Sequence, residues 1–209
     1  KEKQLYTPNN RYSLTFFCLL IILTISTGIF EAKIAEQNDI EVTESPIYRD
    51  PQPNQFFKKW LVLGPIPVSA EETIPEKDKQ KKIFEAEPPF PIKDLYPAKS
   101  SHQIGKKEYQ WQLFASEDET IDLNQIYGTT EFAEAYAWAE IHLSEPKNVL
   151  LGIGSDDSVK VWLNGQTIHQ NWSDRPISKD QDLVPVTFKK GQNQLLLKIQ
   201  NGRSNWGFC

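Results

Sequence analysis

The chain has 209 residues, a formal net charge of -5 and 39% hydrophobic residues. That length and composition suit one ordinary globular domain with extra segments. No basic patch of the kind nucleic-acid binding requires is written in the sequence, so nucleic acid is set aside as a partner.

Two cysteines occur, Cys18 inside an apolar run and Cys209 at the last position, and they offer no disulfide framework. No Met occurs, which reads as a start inside a longer chain. Trp206 to Phe208 reads as the beginning of a strand, so the expectation is that the native protein continues past Cys209.

Residues 1–13 form a basic flank with Lys1, Lys3 and Arg11. Leu14 to Phe30 is an uncharged apolar run, succeeded by Glu31, Glu36, Asp39, Glu41 and Glu44. A basic flank, an apolar run and an acidic flank in that order direct the downstream residues away from the cytoplasm. Residues 14–31 therefore read as an N-terminal apolar helix, either a transmembrane anchor or a signal peptide. Ser26-Thr27-Gly28 is a weakly written cleavage site, and Cys18, preceded by Phe16-Phe17, fits a lipoprotein site poorly. The expected localisation is membrane-anchored with an extracytoplasmic domain, or secreted or periplasmic if the segment is cleaved. Residues 32–55 are polar, without apolar period, and read as an extended linker.

The domain is expected over residues 56–209. Phe56 to Leu63 reads as a strand stopped by a turn at Gly64-Pro65-Ile66-Pro67. Recurring Pro and dense charge leave residues 69–107 largely irregular, with one helix over Lys77 to Glu87. Glu108 to Phe114 alternates, placing Tyr109, Trp111 and Leu113 on one face of a strand. Ile121 to Tyr127 reads as a short helical turn or a short strand.

In Ala133 to Leu143 propensity favours helix, but every odd position is apolar, and a period of two over that length decides for strand. Asn148 to Ile153, Ser158 to Leu163, Gln166 to Gln170, Leu183 to Phe188 and Gln194 to Gln200 read as further strands. Asn164-Gly165 is a hairpin signal and Lys189-Lys190-Gly191 a second turn. Short strands at close spacing imply an all-β sandwich.

The words GSDDSVKVWLNG, DLVPVTFKKGQNQLLLKI and NWGF resemble the sugar-binding jelly-roll modules attached to family-two glycoside hydrolases, which are galactose-binding-like. SDDSVKVWLNG is also similar to protective-antigen-type lectin modules. The resemblance spans roughly residues 56–208. It implies a jelly-roll β-sandwich and a non-catalytic extracytoplasmic accessory module of a larger protein, with carbohydrate or a neighbouring domain as partner. Other expectations are a structural sandwich supporting a catalytic domain beyond residue 209 and a glycoside-acting enzyme.

Asp156 and Asp157 are adjacent carboxylates in a turn, a pattern that can hold a hard cation such as Ca²⁺; in the protective-antigen-type lectins a matching pair binds calcium, and the resemblance implies that role here. Equally, such residues cap turn amides. Trp172 lies in the polar loop beside Asn171, Asp174 and Arg175, where an aromatic face can stack on a sugar ring while polar neighbours meet its hydroxyls. Trp60, Trp111, Trp162 and Trp206 read as core. His102, His142 and His169 lack metal-ligand spacing, and no nucleophile motif is present.

Overall fold

The computed structural model describes residues 45–68, 76–93, 95, 97 and 101–209. The expected apolar helix at 14–31 and most of the expected linker lie outside the described residues. Among the described residues, no helix is long and apolar enough to cross a membrane.

The described part is mostly β-strand, as the alternation predicts. In chain order the strands are β1 Ile47–Arg49, β2 Lys59–Pro67, β3 Ser101–Ile104, β4 Lys107–Gln110, β5 Gln112–Ala115, β6 Ile121–Asp122, β7 Ala133–Leu143 and β8 Lys147–Ile153. They continue as β9 Ser155–Asp156, β10 Ser158–Leu163, β11 Gln166–Asn171, β12 Asp182–Phe188, β13 Gly191–Asn201 and β14 Gly207–Phe208. Two helices interrupt them, α1 Lys77–Glu85 and α2 Leu123–Tyr127.

The main sheet runs β11-β10-β13-β7-β2-β5, with β1 added parallel to the end of β7. Opposite it lie two small sheets, β12-β8 and β6-β14-β9. The sandwich core fills the space between them: Ala133, Ala135, Ala137 and Ala139 of β7, Val159 and Val161 of β10, and Leu195, Leu197 and Ile199 of β13 face Val184, Val186, Phe188, Trp206 and Phe208. Small alanines on β7 let the opposing layer approach closely.

The even face of β7, which carries Glu134, Tyr136, Trp138 and Glu140, is buried as well. Leu61, Leu63, Tyr136, Trp138, Trp162 and Leu196 form a second cluster with Phe90, Leu95 and Tyr109. The expected helix is present as α1, and with Phe90, Leu95 and Tyr109 it brings part of the stretch 69–107, which read as largely irregular, into a third layer. This layer is held by ammonium groups: Lys198 Nζ donates to the carbonyls of Ile83, Phe84 and Ala86 at 3.0–3.2 Å, and Lys160 Nζ donates to Glu85 O at 2.8 Å. Both bond carbonyls at the α1 C-terminus, where positive charge is favoured.

Three expectations need correction. The linker expected to reach residue 55 ends sooner, because β1 pairs with β7 through Ile47↔Glu140 to Arg49↔His142. The strand expected to stop at Gly64 continues to Pro67 with a shifted register, since a Cβ at Gly64 would lie 3.2 Å from Ala135 Cβ and glycine lets β2 press against β7. Glu108 to Phe114 is two strands broken at Trp111, with Tyr109 buried but Leu113 exposed. Ile121 to Tyr127, read as a short helical turn or a short strand, holds both in succession, the switch made by Asp122, whose side chain caps Asn124 N. Asn164-Gly165 turns the β10-β11 hairpin as expected, both residues adopting positive φ.

Candidate functional site

The loop of residues 172–181, between β11 and β12, is the candidate surface, and the acidic segment from β9 to the start of β10, read as a turn in the sequence, holds it in place. Ser155, Asp156 and Asp157 are all buried, and the Asp156-Asp157 peptide is cis. The Asp157 carboxylate accepts from Gly202 N at 2.7 Å and from Arg175 N at 3.2 Å, so it ties the loop to the end of β13. Ser158 Oγ donates to Ser173 O at 2.9 Å and accepts from Ser173 N at 3.0 Å. Gly154 allows this convergence: a Cβ there would meet Ser178 O at 2.1 Å.

Two of the four expected ligand residues hold the loop rather than face outward. Arg175 places Nη2 2.6 Å from Asp182 Oδ2 and 2.8 Å from Ser155 Oγ, while Nη1 reaches Asp182 Oδ1 at 3.3 Å. Asn171 Nδ2 donates to Asp182 Oδ1 at 3.0 Å, and His169 Nε2 lies 3.3 Å from Oδ2. Burial works against the Asp182 carboxylate, but Arg175 and Asn171 together hold it below the usual range. Sequence reasoning gave Asp182 no such organising place, because its partners converge only after β11 and β12 fold side by side.

The other two face solvent. Asp174 is exposed. Of the six tryptophans Trp172 alone is exposed, at 38%, whereas Trp60, Trp138, Trp162 and Trp206 are at 4% or less and Trp111 is half-buried. Trp172 thus sits as a flat apolar surface on a clamped loop, and Lys81 Nζ lies 5.7 Å from its ring centroid, so α1 borders it.

The calcium expectation meets a mixed geometry. Among the described residues no group of three or more His, Cys, Asp or Glu side chains is arranged to hold a metal ion. Asp157 already accepts two backbone N–H groups, as the turn-capping alternative anticipates. The two aspartates do not by themselves close a coordination shell for a cation that takes six to eight oxygens.

Burial, with Asp157 beside it, pushes the Asp156 carboxyl up to about 6, and burial raises Asp157 as well. A carboxyl raised in the folded state binds its proton more tightly there than in the unfolded chain, so its contribution to stability grows as pH falls from about 7 towards about 5. Tm measured over that range is expected to carry this acid-side gain in the wild type and to lose it in Asp156→Asn. Parallel profiles for the two proteins would refute it.

A groove of about 610 Å³ opens beside β8, and Lys179 and Asp180 at the far end of the 172–181 loop reach its lining. It lies between Ile141, Leu143, Leu195 and Leu197 of the main sheet and Val149 and Leu151 of β8, and it reaches Phe56, Phe57 and Cys209. Asp180 brings a carboxylate to its lining. Val149 and Leu150 of its lining are exposed at 38% and 65%.

No family model matches the chain. No curated protein matches it. Among solved structures, the PA14 domain of the MpAFP antifreeze protein is similar at 12% identity and a TM-score of 0.31. The match covers 36% of this chain and 39% of that one, and at this level it carries no argument. The chain spans well under half of that structure, and the described residues define the class by themselves: an all-β sandwich module.

Proposed function

We propose that this chain is a non-catalytic accessory module, a jelly-roll sandwich of galactose-binding-like type that binds carbohydrate outside the cytoplasm through the 172–181 loop. The observation that carries the reading is Trp172: the one exposed tryptophan stands on a loop immobilised by Asp157, Ser158 and the Asn171–Asp182–Arg175 cluster. A rigid aromatic face costs little ordering entropy on binding and suits the C–H face of a sugar ring, while Asp174 supplies an acceptor for hydroxyls. Calcium belongs to this reading as a supplement, Asp156 and Asp157 supplying part of a shell that the sugar or water would complete.

A glycan array run with and without Ca²⁺ tests it. The wild type is expected to bind at least one glycan class, and Trp172→Ala to lose that binding while its stability stays within about 0.5 kcal/mol of wild type. Absence of binding under both conditions, or equal binding by the variant, would sink the lectin reading.

A second reading is favoured by the groove. An apolar opening of this kind is unusual on a lone soluble domain and supports packing against further polypeptide. In that reading the sandwich is a scaffold for further polypeptide, and it stands or falls independently of Trp172.

A further inference from the structure

The β12-β8 sheet has two strands, and β12 occupies one edge of β8. Among the described residues, no strand pairs with the other edge of β8. The backbone next to it is already set for one. Beyond β8, Gly154 N donates to Cys209 O at 2.9 Å and Cys209 N donates to Gly154 O at 3.0 Å, continuing the ladder in which Gly207 faces Asp156 and Phe208 faces Ser155. Backbone groups in a strand alternate in direction, so the N–H and C=O groups of Gly152 and Leu150 point the same way as those of Gly154. They line the open edge directly ahead of β14.

Resting on the scaffold reading and making it specific, we propose that the groove is the seat of one further β-strand, formed by polypeptide that prolongs β14 past Cys209 and runs antiparallel to β8. The register fixes its pattern. The residues after Cys209 fall opposite Ile153, Gly152, Leu151, Leu150 and Val149 in turn. Side chains of directly opposed residues share a face, and Ile153 joins Trp206 and Phe208 in the core while Leu151 packs against it. The first, third and fifth residues of the added strand are therefore apolar and fill the groove above Leu195 and Leu197. The second and fourth face solvent. Occupation joins the two small sheets into one, covers Val149, and removes an open edge of the kind folded proteins protect.

The test compares the 209-residue protein with two versions extended after Cys209 by the same six residues, three valines and three threonines. One places valine first, third and fifth; the other is shifted by one position. A free peptide of the first pattern is added to the unextended protein as a third arm. Amide exchange at Gly152 and Leu150 is expected to slow by about ten-fold or more in the first extension, with a higher Tm, and to change little in the shifted one. Equal protection by both extensions, or protection by the free peptide with none from the first extension, would overturn the strand continuing β14; the latter would leave the scaffold reading standing. No protection in any arm overturns both.

Discussion

Replacing Lys198 by Met is expected to destabilise the fold by about 3 to 5 kcal/mol, the range for removing one member of a buried ion pair. Lys198 is 1% exposed and its ammonium lies 3.5 Å from Glu134 Oε1 while donating to three carbonyls at the end of α1. Burial pushes Lys198 down and Glu134 up, so neither charge is comfortable alone. Methionine fills the space but leaves Glu134 a buried carboxylate bonded to neutral Gln200, and it takes the ammonium from the Ile83, Phe84 and Ala86 carbonyls. Urea unfolding measures the loss, and Lys198→Met with Glu134→Gln should recover part of it because the unpaired carboxylate is gone. A single-variant loss below about 1 kcal/mol would mean that the third layer is not held in this way.

Asp157→Ala carries the second large effect, about 2 to 4 kcal/mol, since two backbone N–H groups lose a charged acceptor at once. Gly202 N and Arg175 N are those groups. The offset is that Asp157 is itself a carboxylate raised by burial, which is why the expected loss is not larger. The more telling consequence is local. Amides of residues 172–177 should exchange faster than the rest of the sandwich, and carbohydrate binding should weaken although Trp172 is untouched. Asp157→Asn, which keeps one acceptor oxygen, should restore part of both. If the alanine variant binds as wild type does, the loop does not depend on this clamp.

Alternation over Ala133 to Leu143 and the Asn164-Gly165 turn made β7 and the β10-β11 hairpin legible from sequence, because both signals are local. The third layer was not legible. Nothing near Lys198 or Lys160 in sequence says that their ammonium groups will cap a helix more than seventy residues earlier, and α1 shows only a polar nonapeptide with one buried residue, Phe84. The site divides in the same way. Trp172 was legible as an aromatic residue in a polar loop, whereas Asp156-Asp157, which read as a turn, is the short strand β9 running on to β10, because Ser155 and Asp156 pair with β14. That Asn171 and Arg175 turn inward to Asp182 depends on strand pairing, and the polar character of all three reads equally well as ligand contact. The groove left one trace, the unbroken apolar triplet Val149-Leu150-Leu151, which is too apolar for a strand with one face on solvent.

The most direct measurement of the central claim tracks the six tryptophan indole N–H signals by NMR while cello-, xylo-, chito- and galacto-oligosaccharides are added in turn, with and without Ca²⁺. With at least one series the Trp172 signal is expected to move in a saturable way while the signals of buried Trp60, Trp138, Trp162 and Trp206 stay in place. A Trp172 signal that ignores every series, or a response confined to the other tryptophans, would contradict it.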